Sequence, residues 1–283
     1  FLSELEGMRD DFKNVKQIAL AKAEIMNNIN ENGSIVLNAD DKFYRLFNRI
    51  ALKKKIKTYS FSMKKKNANV RLNYVKKEKS KFKMSIYFGN KKKYFFISSN
   101  FENNIKNLLA AITVISIFKN IETLNKNIFY NFNILEGRGD ISKIKIKKKN
   151  IFLIDESYNS NPLSLNSAIK NFDLIEGKKN KKHLILGDML ELGKHSKKLH
   201  YKLSTVVNAS SIDKVYVFGK YIKETFQNIK DNKKGYILSK TSQIINLIKN
   251  DINNNDYLMI KGSNSTGLNK LTYNLKRKKL NAL

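Results

Sequence analysis

Apolar residues at positions 15, 18, 19, 21, 25, 26 and 29 follow the three-to-four spacing of one helix face, so a helix is expected over 14–29. Asn32-Gly33 closes it, and the apolar stretch within 34–38 reads as a short buried strand. A second helix is expected over 41–53. Between 56 and 98 the period changes to two. Lys83-Met84-Ser85-Ile86-Tyr87-Phe88 and Lys93-Tyr94-Phe95-Phe96-Ile97 flank Gly89-Asn90, the pattern of a β-meander or hairpin set. Helices are expected again over 103–119 and 122–129.

Beyond Gly137-Arg138-Gly139 the pattern changes once more. Apolar strands are expected at 151–154, 184–186, 215–218, 236–238 and 257–260, with helical stretches between them. Strand–helix alternation at this spacing predicts an α/β fold with a doubly wound, mainly parallel sheet. The boundary between the two patterns falls near residue 135, giving domains over 1–134 and 135–283. Polar or glycine residues follow the strand ends: Asp155-Glu156, Gly187-Asp188, Gly219 and Lys261-Gly262-Ser263. In such sheets ligands gather at the carboxyl edge, which makes these loops the first place to look for chemistry.

Length and composition narrow the picture. A chain of 283 residues with 41% hydrophobic content can bury two cores, which excludes wholesale disorder. With no cysteine there is no disulfide scaffold, thiolate metal site or cysteine nucleophile. The apolar run 108–118 is too short for the roughly 20 residues of a membrane-spanning helix. The first ten residues carry Glu4, Glu6, Arg9 and Asp10 and no apolar core of a signal peptide, so a soluble, cytoplasmic protein is expected. A monomer is the separate expectation. The net charge of +31 suggests a polyanionic partner. Only six of the 55 basic residues are arginine, however, and base readout favours the planar arginine fork. Lysine, asparagine and isoleucine share A/T-rich codons, so the charge reads mainly as genome composition, and the runs 53–55, 64–66, 91–93 and 145–149 as solvated loops and strand faces. Nucleic acid is therefore not the expected partner.

Three segments could carry chemistry. Gly262-Ser263-Asn264-Ser265-Thr266-Gly267 resembles a phosphate loop without the Gly-Lys-Ser/Thr ending, and reads equally well as an anion site or a tight turn. His183, His195 and His200 lack the spacing of a zinc pair, and structural or solvent roles are expected for His183 and His195. Asp155-Glu156-Ser157-Tyr158-Asn159-Ser160-Asn161-Pro162 places two carboxylates, a tyrosine and two asparagines between a strand and a helix. Helix capping accounts for Asn161 and Pro162 but not for the adjacent carboxylates.

That octet resembles the Asp-Asp-Ser-Tyr-Asn-Ala-Asn-Pro signature of the Mur ligase family, in the branch that adds D-alanyl-D-alanine to UDP-MurNAc-tripeptide. Other segments resemble family motifs in the same order: Ala21-Lys22-Ala23-Glu24-Ile25, Asn38-Ala39-Asp40-Asp41, Asn103-Asn104-Ile105-Lys106-Asn107 with Ala110-Ala111, Glu136-Gly137-Arg138-Gly139, Leu186 to Gly193 with His200, and Lys261-Gly262-Ser263. The resemblance implies the second half of a central ATPase domain, without its phosphate loop, over 1–134, and a Rossmann-like ligase domain over 135–283. It also implies ATP-dependent amide-bond formation through an acyl phosphate, with ATP and Mg2+ as cofactors and UDP-MurNAc-tripeptide and D-alanyl-D-alanine as substrates.

Roles follow from the same resemblance. Lys22 would be carbamylated and position the magnesium, its interaction with the metal reversing sign; at about 4 Å one charge pair is worth roughly 4 kcal/mol at an effective dielectric of 20. Asn104 and Asn107 would lie near the adenine, Arg138 at a phosphate or ribose, and Asp155 or Glu156 at the ribose hydroxyls. Tyr158, Asn159 and Asn161 would shape the catalytic cleft, with Asp188, Glu191, Lys261 and Ser263 facing the peptide substrate or the transferred phosphate. For Asp188 and Glu191 helix capping is the rival role, and for Lys261 a solvated strand end. His200 matches a family position with no chemical role attached. The chain departs from the pattern at Met8, where a histidine is expected, at Asn103 for the histidine before Asn104, and at Glu156 for the second aspartate. The Gly-Lys-Thr loop is missing, so the chain by itself is expected to lack ligase activity. A sibling ligase, a basic nucleic-acid-binding module and a non-catalytic remnant are the alternatives.

Overall fold

A computed structural model of the chain describes residues 15–131, 136–175 and 180–277; Met8 lies outside them. The described residues fall into two compact units, one ending at 131 and the other beginning at 136.

In the first unit α1 (Val15–Ala23) tightens into a 3-10 turn over Glu24–Asn28, where Asn27 and Asn28 are poor helix formers. After it come β1 (Ser34–Asn38), α2 (Tyr44–Lys53), β2 (Lys57–Ser62), β3 (Val70–Glu78), β4 (Lys81–Phe88), β5 (Lys91–Ile97) and α3 (Glu102–Phe118). The strands form one sheet in the order β1-β2-β3-β4-β5. β1, β2 and β3 run parallel, and β3, β4 and β5 form the expected antiparallel meander. Ile105, Leu108, Leu109 and Ile112 of α3 join Val36, Phe61, Val70, Met84, Ile86 and Phe95 in one core. The helix expected over 122–129 is absent: Ile121–Thr123 is a single 3-10 turn. Asparagine side chains compete with the helix there, Asn120 Oδ1 accepting from the Glu122 amide at 3.0 Å and Asn125 Oδ1 from the Asn127 amide at 2.9 Å.

The second unit alternates β6 (Asp140–Ile146), β7 (Lys149–Glu156), α4 (Pro162–Asp173), β8 (Lys182–Gly187), α5 (Ser196–Ala209), β9 (Lys214–Phe218), α6 (Lys223–Gln227), β10 (Lys234–Leu238), α7 (Thr241–Asn250), β11 (Tyr257–Lys261) and α8 (Leu268–Lys276). Sheet order is β10-β9-β8-β11-β7-β6, parallel throughout except for β6. The expected strands therefore form the doubly wound sheet. β6 was not among them: its buried Ile144 and Ile146 alternate with exposed Lys143 and Lys145, and its end runs into the charge run 145–149.

Several of the many lysines are structural. Lys149 Nζ donates to the carbonyls of Lys249 (3.1 Å) and Ile252 (2.9 Å) at the end of α7. Lys182 Nζ donates to Asp173 O at the end of α4, and Lys233 Nζ to Ser210 O and Ile212 O just past α5. These contacts satisfy carbonyls at or just past helix C-termini, where a cation also suits the helix dipole. None of the described helices is long and apolar enough to cross a membrane.

Candidate active site

The carboxyl edge of the second sheet gathers most of the expected residues. β11 pairs with β7 so that Lys261 stands opposite Glu156. Lys261 is 1% exposed; its Nζ lies 3.4 Å from Glu156 Oε2 and donates to the Asn159 carbonyl at 2.9 Å. Burial pushes the Glu156 carboxyl up from the ordinary glutamate range and the Lys261 ammonium down, while each charge opposes the other's shift. Lys261 is thus no solvated strand end but a buried cation holding the Asp155–Pro162 turn from beneath.

Asp155 is engaged differently. Its Oδ1 accepts from Ser157 N (3.1 Å) and Ser157 Oγ (2.6 Å), and its Oδ2 pairs with Lys276 Nζ at 2.7 Å. Lys276 also pairs with Asp140, and Ser157 Oγ contacts Thr272 Oγ1 at 3.0 Å, so Asp155 ties α8 to the sheet. Burial works against the Lys276 charge, but the two carboxylates outweigh it and raise its pKa above the usual lysine value. Of the two adjacent acids, Glu156 is the one turned toward the Lys261 side of the turn.

The Gly137-Arg138-Gly139 segment lies on the same turn. Gly139 N donates to Asp155 O at 2.7 Å and Tyr158 N to Gly137 O at 3.1 Å. The Arg138 guanidinium sits 4.5 Å from the Tyr158 ring centroid, and both side chains are exposed. Gly137 has φ +78°, and a Cβ there would meet Tyr158 Cβ at 2.9 Å. Asn159 is exposed, its Oδ1 accepting from Ser160 N. Asn161 caps α4, with Oδ1 accepting from Ser164 N at 2.8 Å and Ser164 Oγ from Asn161 N at 3.1 Å, the capping role its sequence context suggests.

Two neighbouring loops are locked to this turn. Ser263 Oγ accepts from Leu190 N at 2.9 Å and donates to Ser160 O at 3.3 Å, joining three strand-end loops through one hydroxyl. Asp188 is buried, its carboxylate accepting from Lys220 N (2.9 Å) and Ile222 N (2.7 Å) just past Gly219. It caps the turn after β9, a capping role within a different loop from its own. Glu191 is exposed with φ +61°. His200 is fully buried: Nδ1 donates to Ser196 O at 2.8 Å and Nε2 accepts from Met189 N at 3.1 Å, which fixes its tautomer and anchors the loop carrying Asp188. The segment 262–267 is a tight turn, its amides at Ser263, Thr266 and Gly267 bonded to Asp188, Ser263 and Asn264 carbonyls.

In the first unit Lys22 is half-buried near the end of α1. Asn104 Nδ2 donates to Ser99 Oγ at 3.0 Å, and exposed Asn107, three residues on, shares its helix face. Asp40 binds Ser62 Oγ (2.6 Å) and the Met63 amide (2.7 Å), fastening the 38–41 turn to the end of β2. His183 lies away from this edge, at the start of β8, between Asp256 Oδ2 (3.2 Å) and the Tyr216 hydroxyl (3.3 Å). His195 ends a short 3-10 turn before α5. Sequence reasoning missed Asp140, Thr272 and Lys276, which support the site across long separations and leave no local signal.

Residues 9–115 match the Mur ligase middle domain, and residues 143–264 match the domain described as "Mur ligase, glutamate ligase domain". The chain belongs to the Mur ligase family. Among its Mur ligase relatives, UDP-N-acetylmuramoyl-tripeptide–D-alanyl-D-alanine ligase of Buchnera aphidicola subsp. Baizongia pistaciae is 30% identical over 267 residues, 93% of this chain and 55% of that protein. The ligase of the same name from Rickettsia prowazekii is 27% identical over 270 residues, 94% of this chain and 58% of that protein. The fold is like that of MurF ligase from Thermotoga maritima, solved in complex with ADP: the TM-score is 0.77 at 19% identity, covering 95% of this chain and 58% of that one. The chain spans a little over half the length of these Mur ligase relatives.

Proposed function

We propose that the chain supplies the nucleotide-side and acceptor-side residues of a ligase that joins D-alanyl-D-alanine to UDP-MurNAc-tripeptide in peptidoglycan precursor synthesis, in the cytoplasm, where ATP is available. In this reading a carboxylate oxygen of the tripeptide attacks the γ-phosphorus of ATP, releasing ADP. The amine of D-alanyl-D-alanine then attacks the acyl carbon, phosphate leaves, and the amine gives up its proton. Several negative charges come together, so cationic donors at the carboxyl edge lower the cost of bringing them there.

The observation that carries the reading is the Lys261–Glu156–Asn159 arrangement, a buried ammonium beneath the turn that resembles the family signature. Arg138 over Tyr158 offers a phosphate or ribose contact at the turn's surface. Glu156 is the better ribose-side candidate, since both Asp155 oxygens are engaged. Asn104 and Asn107 serve the adenine; Tyr158, Asn159 and Asn161 shape the cleft. Glu191 faces the peptide substrate or transferred phosphate, while Asp188, His200 and the buried Ser263 hydroxyl hold the surrounding loops in place. The Ser157-to-Pro162 run separates this reading from a sibling ligase, whose corresponding segment resembles Asp-Tyr-Ala-His-Thr-Pro.

Among the described residues no group of three His, Cys, Asp or Glu could hold a metal. Magnesium is commonly held by substrate phosphates, water and one or two carboxylates, so in this reading it would be held chiefly by the nucleotide. Lys22 as a carbamate would provide one such carboxylate. The metal would supply neutralisation of the phosphate charge.

Calorimetry with MgATP and then D-alanyl-D-alanine tests the assignment. Saturable nucleotide binding is expected, weakened by Arg138→Ala and by Asn104→Ala. Because the sequence holds no Gly-Lys-Thr or Gly-Lys-Ser loop, no phosphate release with UDP-MurNAc-tripeptide is expected from this chain alone. Absence of nucleotide binding at millimolar concentration, or binding indifferent to both substitutions, overturns the reading.

A further inference from the structure

The outer face of the β3–β4–β5 meander carries an ordered grid that the ligase reading does not use. Cross-strand partners lie on one face of a sheet, so the register defines its rows. Arg71, Tyr87 and Lys92 form one row, Tyr74, Ser85 and Tyr94 the next, and Lys76, Lys83 and Phe96 a third. An aromatic row thus runs between two rows that each hold two cations. Arg71 lies 4.0 Å and Lys92 5.1 Å from the Tyr87 ring centroid, and Lys83 lies 4.4 Å from that of Tyr94. Glu78 is the acid of this face, 3.8 Å from Lys83.

Composition does not account for the placement of Tyr74. Strict alternation from Val70 would turn Tyr74 into the core, together with Val70 and Leu72. A register shift between Leu72 and Tyr74 inserts Asn73, so that Tyr74 pairs with Ser85 while Val75 pairs with Met84. Asn73 Nδ2 donates to Ser85 Oγ at 3.2 Å, pinning the irregularity. The bulge re-aims Tyr74 outward, where it is 44% exposed, the most open ring of the face.

We propose that this face is a binding site for single-stranded nucleic acid, bases stacking on Tyr74 and Tyr94 and phosphates contacting the flanking cation rows. Stacking-led binding is sequence-tolerant and needs no bidentate arginine, so the scarcity of arginine counts only against base-edge readout. A lipid headgroup surface would use the cations but gain nothing from two tyrosines held in a row beneath them.

Fluorescence anisotropy of labelled 12-residue oligo(U) and oligo(dT) with the full chain, between 50 and 200 mM NaCl, tests this. Saturable binding is expected, with a log K against log salt slope of about −3, since single strands give roughly −0.7 per phosphate neutralised and four cations flank the row. Tyr74→Ala weakens binding about 10-fold without changing the slope, as loss of one stacked base requires, and Tyr74→Phe restores it. Lys76→Ala with Lys92→Ala reduces the slope by about 1.4 and leaves the tyrosine row intact, a second readout if Tyr74→Ala fails to fold. No saturable binding at 50 mM salt, a Tyr74→Ala variant that folds and binds like the unaltered chain, or equal binding to phosphatidylserine vesicles and heparin that ignores Tyr74 overturns the proposal.

Discussion

Lys261 and Glu156 stand side by side at the ends of β11 and β7, Nζ to Oε2 3.4 Å, with the ammonium almost wholly out of water. Desolvation disfavours both charges, each partner's charge opposes the other's shift, and the Asn159 carbonyl takes a further N–H from Lys261. Removing one partner leaves an uncompensated buried charge. Lys261→Met is therefore expected to cost about 3–5 kcal/mol, and Lys261→Met with Glu156→Gln distinctly less than the sum of the two single changes. Urea unfolding of the four chains checks this; additive losses would show that the two residues do not act as a pair.

His200 and His183 make the fold sensitive to acid. Burial lowers both pKa values below the ordinary histidine value of 6.5, and His200 uses Nε2 as the acceptor for the Met189 amide. The unfolded chain therefore takes up these protons first. Stability is complete above pH 6.5 and falls as pH drops toward the folded-state values, by at most about 1.4 kcal/mol per pH unit for each histidine. Melting temperatures between pH 7.5 and 5 should fall less steeply in His200→Gln than in the unaltered chain. Parallel curves would remove His200 from the account.

Asp188 holds two amides of a different loop, Lys220 and Ile222, and a Cβ on Gly219 would collide with its carboxylate. Asp188→Ala leaves two donors without an acceptor, at about 1–3 kcal/mol each. Asp188→Asn keeps one oxygen acceptor and should lose roughly half as much. Chemical denaturation ranks them; equal stability for all three chains would mean that the contacts hold nothing.

Gly137→Ala tests the junction between the Gly-Arg-Gly segment and the octet. At φ +78°, with Tyr158 Cβ only 2.9 Å from the position a new Cβ would occupy, alanine should cost more than about 1 kcal/mol. It should also shift Tyr158 relative to Arg138. Differential scanning calorimetry reads the first effect and the Tyr158 ring signals in NMR the second; an unchanged melting temperature contradicts the close approach.

What the chain order alone determined is local. The apolar runs at 35–37, 184–186, 215–218 and 257–260 announce their strands, and Asn161-Pro162 its helix start by cap chemistry completed three residues later at Ser164. The octet's kinship to the Mur ligases was legible for a related reason, since its residues are contiguous. Tertiary structure decided the rest. Which of two adjacent carboxylates meets Lys261 and which meets Lys276 depends on strand register and on α8, 121 residues from Asp155. The outward turn of Tyr74 depends on one inserted residue that alternation does not reveal. The helix anticipated over 122–129 gave way to asparagine side-chain bonds. Periodicity records which face of an element is buried; partners at long separation are chosen by packing and register, and those are settled only when the elements meet.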